Sequence, residues 1–315
     1  MKVTRGLSNH VRRPHPVLTV GNFDGQHVGH HALLRTVVQT AAAANGTPMV
    51  LTFDPHPVRV LAPHVDLRLL TSAEEKLLRF QEAGIAEVLF LEFNPAFASL
   101  SPEDFVMRIL KDGVGVRDLF VGEHFAFGKG RAGRMADLVR LGRQAGFRVH
   151  PVHPVKVDGE VVSSTRVRTL LQTGDVRAAA RCLGRCYELG GTVIHGANRG
   201  QDLGWPTANL QLPKERVIPA DGVYATLTTW RGSSFDSVAY IGTRPTFGPG
   251  ERLLEVYLLD QQVKLYGDEI RVQFVERIRD DLVCRSAEEL AARIDLDVSL
   301  AREALKIQAQ TVPDV

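Results

Sequence analysis

The sequence predicts an α/β protein in two parts: a parallel sheet wrapped by helices, then an antiparallel β-barrel module with closing helices. Two observations carry this expectation. In the first half, short apolar runs alternate with amphipathic helical stripes, which is the pattern of right-handed βαβ units. From Cys186 onward, strand-like runs follow one another through turns with no helical stripe between them. At 315 residues the chain is long enough for two separate cores.

The elements of the first half fall in order. Val17-Leu18-Thr19-Val20 reads as a short buried strand, and Leu33, Leu34, Val37, Val38, Ala41 and Ala42 share one helical face. Pro48–Phe53 is a second strand, stopped by the prolines of Asp54-Pro55-His56-Pro57. Ser72-Ala73-Glu74-Glu75 has the form of a capping box, with Leu77 and Phe80 continuing the stripe toward Gly84. Glu87–Leu91 gives a third strand. Ser101-Pro102-Glu103-Asp104 opens a further helix, with proline at its first position and acids where the helix dipole favours them; Phe105, Val106, Ile109 and Leu110 form its buried face. Asp118–Val121 is the fourth strand and Phe147–Val149 the fifth, with a helix through Leu138 and Leu141 between them.

Asp175 starts a short helix with Val176, Ala179, Ala180 and Leu183 inward, and Gly184 ends it. The hinge is expected there, giving modules 1–184 and 185–315. In the second, strands are expected at Tyr187–Ile194, Gly222–Thr228, Ser237–Ile241, Leu253–Leu259 and Ile270–Val275. Ser286-Ala287-Glu288-Glu289 caps the first of two expected closing helices.

Composition narrows the partners. The chain is 44% hydrophobic and 23% charged, with a net charge of +2 and no long block of one sign, so neither a nucleic-acid nor a membrane surface is indicated. No apolar run is long enough to span a bilayer, and the first residues lack the hydrophobic core of a signal peptide, so a cytoplasmic location is expected. Cys182, Cys186 and Cys284 have neither an even count nor zinc-site spacing, and read as reduced thiols.

Three stretches carry chemistry. Gly21-Asn22-Phe23-Asp24-Gly25-Gln26-His27-Val28-Gly29-His30 is a strand-to-helix turn at the carboxyl end of a parallel strand, where a backbone can approach a ligand closely. His27 and His30, three apart, leave one helical face beside the N–H groups that attract anions; alone, such a pair reads first as a capping and packing detail. Ser163-Ser164-Thr165-Arg166-Val167-Arg168 opens another helix with hydroxyls and guanidinium groups suited to phosphate, or alone to an ordinary N-cap with solvated arginines. Gly191–Leu210 repeats glycine through Gly196, Gly200 and Gly204, then supplies a hydroxyl at Thr207 and an amide at Asn209. Such oxygens suit magnesium. Glu255 shares a strand face with Leu253, Tyr257 and Leu259, an acid among apolar neighbours.

The first of these stretches resembles the His-x-Gly-His nucleotidyltransferase superfamily, and in particular the bacterial bifunctional riboflavin kinase and FMN adenylyltransferase (FAD synthetase) family. The likeness continues through Gly122–Gly128, Ser163–Arg168, Gly191–Leu210, Asp221–Ala225, Ile241–Gly248, Glu255–Asp260 and Leu265–Gly267. It implies a Rossmann-like parallel sheet in the first module, with residues 1–184 transferring AMP from ATP to FMN, and residues 185–315 phosphorylating riboflavin. Carried over residue by residue, it implies that Gly21, Asn22, Asp24, His124, Ser164, Thr165 and Arg168 surround ATP with His27 and His30 as catalytic groups. In the second module it implies that Gly196, Gly200 and Gly204 approach phosphate, that Thr207 and Asn209 meet Mg²⁺ and phosphate, and that Glu255 is the base. Riboflavin, FMN and ATP are the implied small-molecule partners. The chain departs from the family at His124, where Asp or Asn is usual, at Gln201, where Arg is usual, and at Tyr257, where His is frequent. A chain that keeps one of the two activities, or a flavin-binding carrier or sensor on the same scaffold, stays open at this point.

Overall fold

The computed structural model describes residues 1–194, 205–243, 252–261, 263, 265–284 and 286–311. It divides into two compact units, Met1–Ser164 and Thr165–Val315.

The first unit runs β1 (Lys2–Arg5), β2 (Pro16–Val20), α1 (Val28–Ala43), β3 (Thr47–Phe53), α2 (Pro57–Leu61), α3 (Ala73–Glu82), β4 (Glu87–Leu91), α4 (Pro95–Ala98) and α5 (Pro102–Asp104). It continues through a π-helix (Phe105–Val114), β5 (Asp118–Gly122), α6 (Met135–Ala145), β6 (Arg148–Val152) and a small hairpin of β7 (Lys156–Val157) and β8 (Glu160–Val161). Six strands form one parallel sheet in the order β1-β4-β3-β2-β5-β6. Side-chain alternation along the strands divides the core into two layers. Leu18, Val20, Met49, Leu51, Leu89 and Leu119 face Phe105, Val106, Leu110 and Leu138, while Val17, Val50, Val88 and Phe120 face Leu33, Leu34, Val37 and Phe80.

Most of the expected elements are present within a few residues, and the Ser72–Glu75 capping box forms both of its hydrogen bonds. The helix opened by Ser101 is capped as expected but widens to π geometry after one turn. The edge strand β1 was not legible, nor was the short β7–β8 hairpin. β1 has a single buried residue, Thr4, and is held by polar contacts: Thr4 donates to buried Glu87 at 2.6 Å, and the same carboxylate takes His10 at 3.1 Å and Arg13. A hydrophobic pattern carries no trace of such an edge.

In the second unit, α7 (Ser164–Gln172, whose first residue closes the first unit) and α8 (Val176–Leu183) precede the strands. Asp175 caps α8 by accepting from the Ala178 N–H at 2.9 Å, and Gly184 ends it at φ 73°. The strands β9 (Tyr187–Ile194), β10 (Ala208–Leu210), β11 (Gly222–Trp230), β12 (Ser233–Thr243), β13 (Arg252–Leu258) and β14 (Glu269–Arg279) close into an antiparallel barrel in the order β10-β13-β12-β11-β14-β9. One helix of 25 residues, Ala287–Thr311, stands where two closing helices were expected. The acid that interrupts its apolar pattern, Asp297, is buried and pairs with Arg279 of β14 at 2.8 Å, so the charge is satisfied by the barrel and the helix runs on.

Candidate active sites

In the first unit the strand order reverses between β2, which leads outward through β3 and β4, and β5, which leads to β6. Ligands of open parallel sheets bind at such a switch point, beyond the carboxyl ends of the strands. Register pairs Val17 with Asp118 and Thr19 with Phe120, so the turn after β2 and the loop after β5 leave the sheet side by side.

The turn holds an unusual backbone. Phe23, Gly25 and Gln26 all have positive φ, at 50°, 80° and 41°. A Cβ on Gly25 would stand 2.7 Å from Leu70 Cδ1, so glycine is required both for its φ and for the approach of that segment. Asp24, 2% exposed, points inward: its carboxylate accepts from the N–H groups of Leu70 at 3.0 Å and Thr71 at 3.2 Å, and from the Thr71 hydroxyl at 3.2 Å. The same hydroxyl accepts from the Gly25 N–H at 3.1 Å. Asp24 therefore braces the turn from below. Thr71 was not singled out in the sequence, where it reads only as the residue before a helix cap.

His27 is the N-cap of α1, its Nδ1 accepting from the His30 N–H at 3.3 Å. The capping reading of the histidine pair is thus real for one of them. A neutral His27 that accepts at Nδ1 carries its proton on Nε2. The His30 ring stacks on His27 at 3.7 Å between centroids and leans on Phe23 at 5.1 Å. Burial, then the neighbouring His27, His31 and Lys76, hold the His30 pKa well below the usual imidazole range. At neutral pH it is an uncharged ring, offering a hydrogen bond rather than a cation. Its Nδ1 is buried with no hydrogen-bond partner among the described residues.

Ser164 joins this group, donating its hydroxyl to the Asp24 carbonyl at 2.9 Å. Gly21, Asn22, Asp24, His27, His30 and Ser164 thus belong to one neighbourhood. Thr165 and Arg168 follow on α7 in the second unit, Thr165 exposed and Arg168 half-buried. His124 lies on the loop after β5 with its side chain 85% exposed, Nε2 standing 3.4 Å from the Glu123 carboxylate, which also takes His153 Nδ1 at 2.7 Å.

In the barrel, β10 and β13 pair so that Asn209 lies opposite Glu255. Both are buried, and the Thr207 hydroxyl donates to Glu255 Oε2 at 3.2 Å. Asn209 Oδ1 is buried without a hydrogen-bond partner among the described residues. An acid, a hydroxyl and an amide therefore share one edge of the barrel, and the Asn209 oxygen costs stability unless something engages it. Gly196, Gly200, Gly204 and Gln201 lie outside the described residues.

The two units match two family models. Residues 10–166 match one described as FAD synthetase, and residues 183–305 one described as riboflavin kinase. A bifunctional riboflavin kinase/FMN adenylyltransferase of Pseudomonas fluorescens is 40% identical over 96% of this chain and 97% of the relative. The chain belongs to the bifunctional riboflavin kinase/FMN adenylyltransferase family. Relatives of the same description from Escherichia coli K12 and Bacillus subtilis are 37% and 34% identical, covering 96% and 91% of this chain and 97% and 95% of theirs. A crystal structure described as a macrolide-efflux protein from Streptococcus pneumoniae is 28% identical and superimposes with a TM-score of 0.88, over 96% of this chain and 99% of that one. Among the described residues of the present chain, no helix is long and apolar enough to cross a membrane.

Proposed function

We propose that this chain phosphorylates riboflavin with ATP to give FMN, in a module spanning residues 185–315, and that a module spanning residues 1–184 transfers AMP from a second ATP to FMN, giving FAD and pyrophosphate. The observation that carries this reading is that each compact unit holds its own buried polar constellation, the histidine turn in one and Thr207, Asn209 and Glu255 in the other.

In the kinase module, Glu255 takes the proton of the riboflavin primary hydroxyl as that oxygen attacks the γ-phosphorus of ATP, and ADP leaves. The barrel's part is positioning and charge neutralisation. The residues fit Mg²⁺: Thr207 spends its proton on Glu255 and keeps its lone pairs, and the buried Asn209 Oδ1 is a hard oxygen donor awaiting a partner. Thr207 and Asn209 would hold the ion, which would neutralise phosphate charge when bound. Gly196, Gly200 and Gly204 would bring the backbone to the same phosphates.

In the transferase module, an oxygen of the FMN phosphate attacks the α-phosphorus of ATP directly and pyrophosphate departs, with no covalent enzyme intermediate. His27 and His30 act as hydrogen-bond donors to the phosphate oxygens on which charge develops, beside the N-terminus of α1. Gly21 and Asn22 let the backbone come close, Asp24 fixes their path, and Ser164, Thr165, Arg168 and His124 complete the contacts to ATP. A cytoplasmic location suits substrates of this kind.

The test is incubation of the whole chain with Mg²⁺, ATP and either riboflavin or FMN, followed by chromatography. FMN and FAD from riboflavin, and FAD from FMN, are expected. FMN alone removes the transferase half, and FAD from FMN without any product from riboflavin removes the kinase half. Flavin binding with no ATP consumed leaves a carrier or sensor instead.

A further inference from the structure

One half-buried cation of the first unit has no part in the chemistry above. Lys76 lies in α3, behind the histidine turn, and two hydrogen bonds join it to that turn. Its ammonium donates to the Asn22 carbonyl at 2.9 Å, and its own carbonyl accepts from the Gln26 side-chain amide at 2.9 Å. Gln26 is fully buried. Residues at both ends of the strained segment Asn22–Gln26 are therefore fastened to one residue of one helix.

We infer that Lys76 is a positioning residue of the adenylyl-transfer site, its ammonium clamping the Asn22 carbonyl and supplying a fixed positive charge beside His30. This rests on the reading of the first unit as the transferase.

A plain structural clip does not need a charge. Burying an ammonium is costly, and a neutral donor would fasten the Asn22 carbonyl as well. Burial does push the Lys76 pKa down, opposed by the carboxylates of Asp24 and Asp54, which favour the charged form. The charge is felt at His30, where burial, His27, His31 and Lys76 all act in one direction, against protonation. The consequence is a division of labour. His30 stays a neutral donor at physiological pH, while Lys76 adds positive potential from behind the turn. A charge held in a partly desolvated place acts on a developing phosphate charge with little reorganisation.

The experiment uses the full chain carrying Lys76→Met, which keeps the length of the stem, and Lys76→Gln, which keeps a donor without the charge. FAD formation from FMN is measured as kcat and KM for ATP, with riboflavin phosphorylation in the same preparation as the measure of folding. Both variants are expected to lose kcat by about 10- to 100-fold, the range seen when partners that orient metal ligands are removed, with a smaller change in KM and with FMN formation unchanged. In parallel the imidazole resonances are titrated, that of His30 being assigned by its absence from His30→Gln. Without the ammonium, the His30 midpoint is expected to rise, while burial and the neighbouring His27 and His31 still hold it below the ordinary imidazole value. Recovery of wild-type kcat in Lys76→Gln overturns the role of charge, and an unmoved His30 midpoint overturns the inference as a whole. If the unsubstituted chain makes no FAD, the functional reading falls by itself, and the titration still decides whether Lys76 sets the state of His30.

Discussion

Replacing Asp24 by alanine tests whether the histidine turn is held from below. The carboxylate accepts two backbone N–H groups, from Leu70 and Thr71, and the Thr71 hydroxyl, all in a buried place. The hydroxyl can turn to another acceptor, but the two amides cannot. Each buried donor left unmade costs about 1–3 kcal/mol, so the first unit should lose about 2–6 kcal/mol. With a urea dependence of roughly 2–3 kcal/mol/M for a unit of this size, the midpoint should fall by about 0.7–3 M. The sequence offers a clean assay. Both tryptophans, Trp205 and Trp230, and all five tyrosines, Tyr187, Tyr224, Tyr240, Tyr257 and Tyr266, lie in the second unit. Intrinsic fluorescence therefore follows the barrel, while far-ultraviolet circular dichroism also follows the helices of the first unit. The dichroism transition of Asp24→Ala should acquire an early phase while fluorescence stays near its wild-type midpoint, and adenylyl transfer should be lost with riboflavin phosphorylation intact. If neither transition moves and FAD is still made, Asp24 does not brace the turn.

Three further outcomes are expected. His30→Ala should lower FAD formation by on the order of 10²-fold, the typical cost of one transition-state donor, and leave FMN formation alone; product chromatography from riboflavin and from FMN reads both. Glu255→Gln should do the converse, with riboflavin phosphorylation falling by about 10²- to 10⁴-fold for loss of a general base, and supplied FMN still converted to FAD. Asp118, 1% exposed, is pushed up by burial but held down to about 2 by hydrogen bonds from Arg148, His150 and His15. Its folded pKa lies below the unfolded value, so it stabilises above the ordinary carboxylate range and the contribution is lost as pH falls from about 4 toward 2. Because Arg148 is largely exposed and screened, the contribution is roughly 1–2 kcal/mol, and Asp118→Asn should flatten the acid limb of first-unit stability in urea titrations. An unchanged acid limb counts against the cluster.

The alternation of apolar runs and helical stripes was enough to read the parallel sheet, because its strands are buried on both faces and the helix caps are local signals. The capping box at Ser72, the N-cap at Asp175 and the end at Gly184 formed as expected. What escaped was held by long-range polar contacts. β1 depends on Thr4 and Glu87, 83 positions apart, and the brace of the histidine turn depends on Thr71 and Lys76, about fifty positions beyond it. The three-residue β10 is too short for a periodic pattern, and the uninterrupted final helix depends on an aspartate whose partner lies in β14. His27 and His30 were legible as a pair, but their different duties, a cap and an uncharged donor, follow from stacking and burial that spacing alone does not carry.

β10 gives the barrel a seam. It closes the ring between β9 and β13 with only three residues, pairing Asn209 and Leu210 with Ile194 and Val193 on one side and Ala208 to Leu210 with Val256 to Leu254 on the other. The long β11, β12 and β14 can lose a rung and remain a sheet, whereas β10 has no rung to spare. Local opening should therefore start there, and amide exchange in β10 should be faster than in β11 or β14. The strand that would open first is the one carrying Asn209 opposite Glu255. The barrel would thus breathe at its chemistry and stay rigid elsewhere, and a ligand bridging Asn209 and Glu255 would act as the missing stitch, slowing exchange across the seam without changing the rest of the fold.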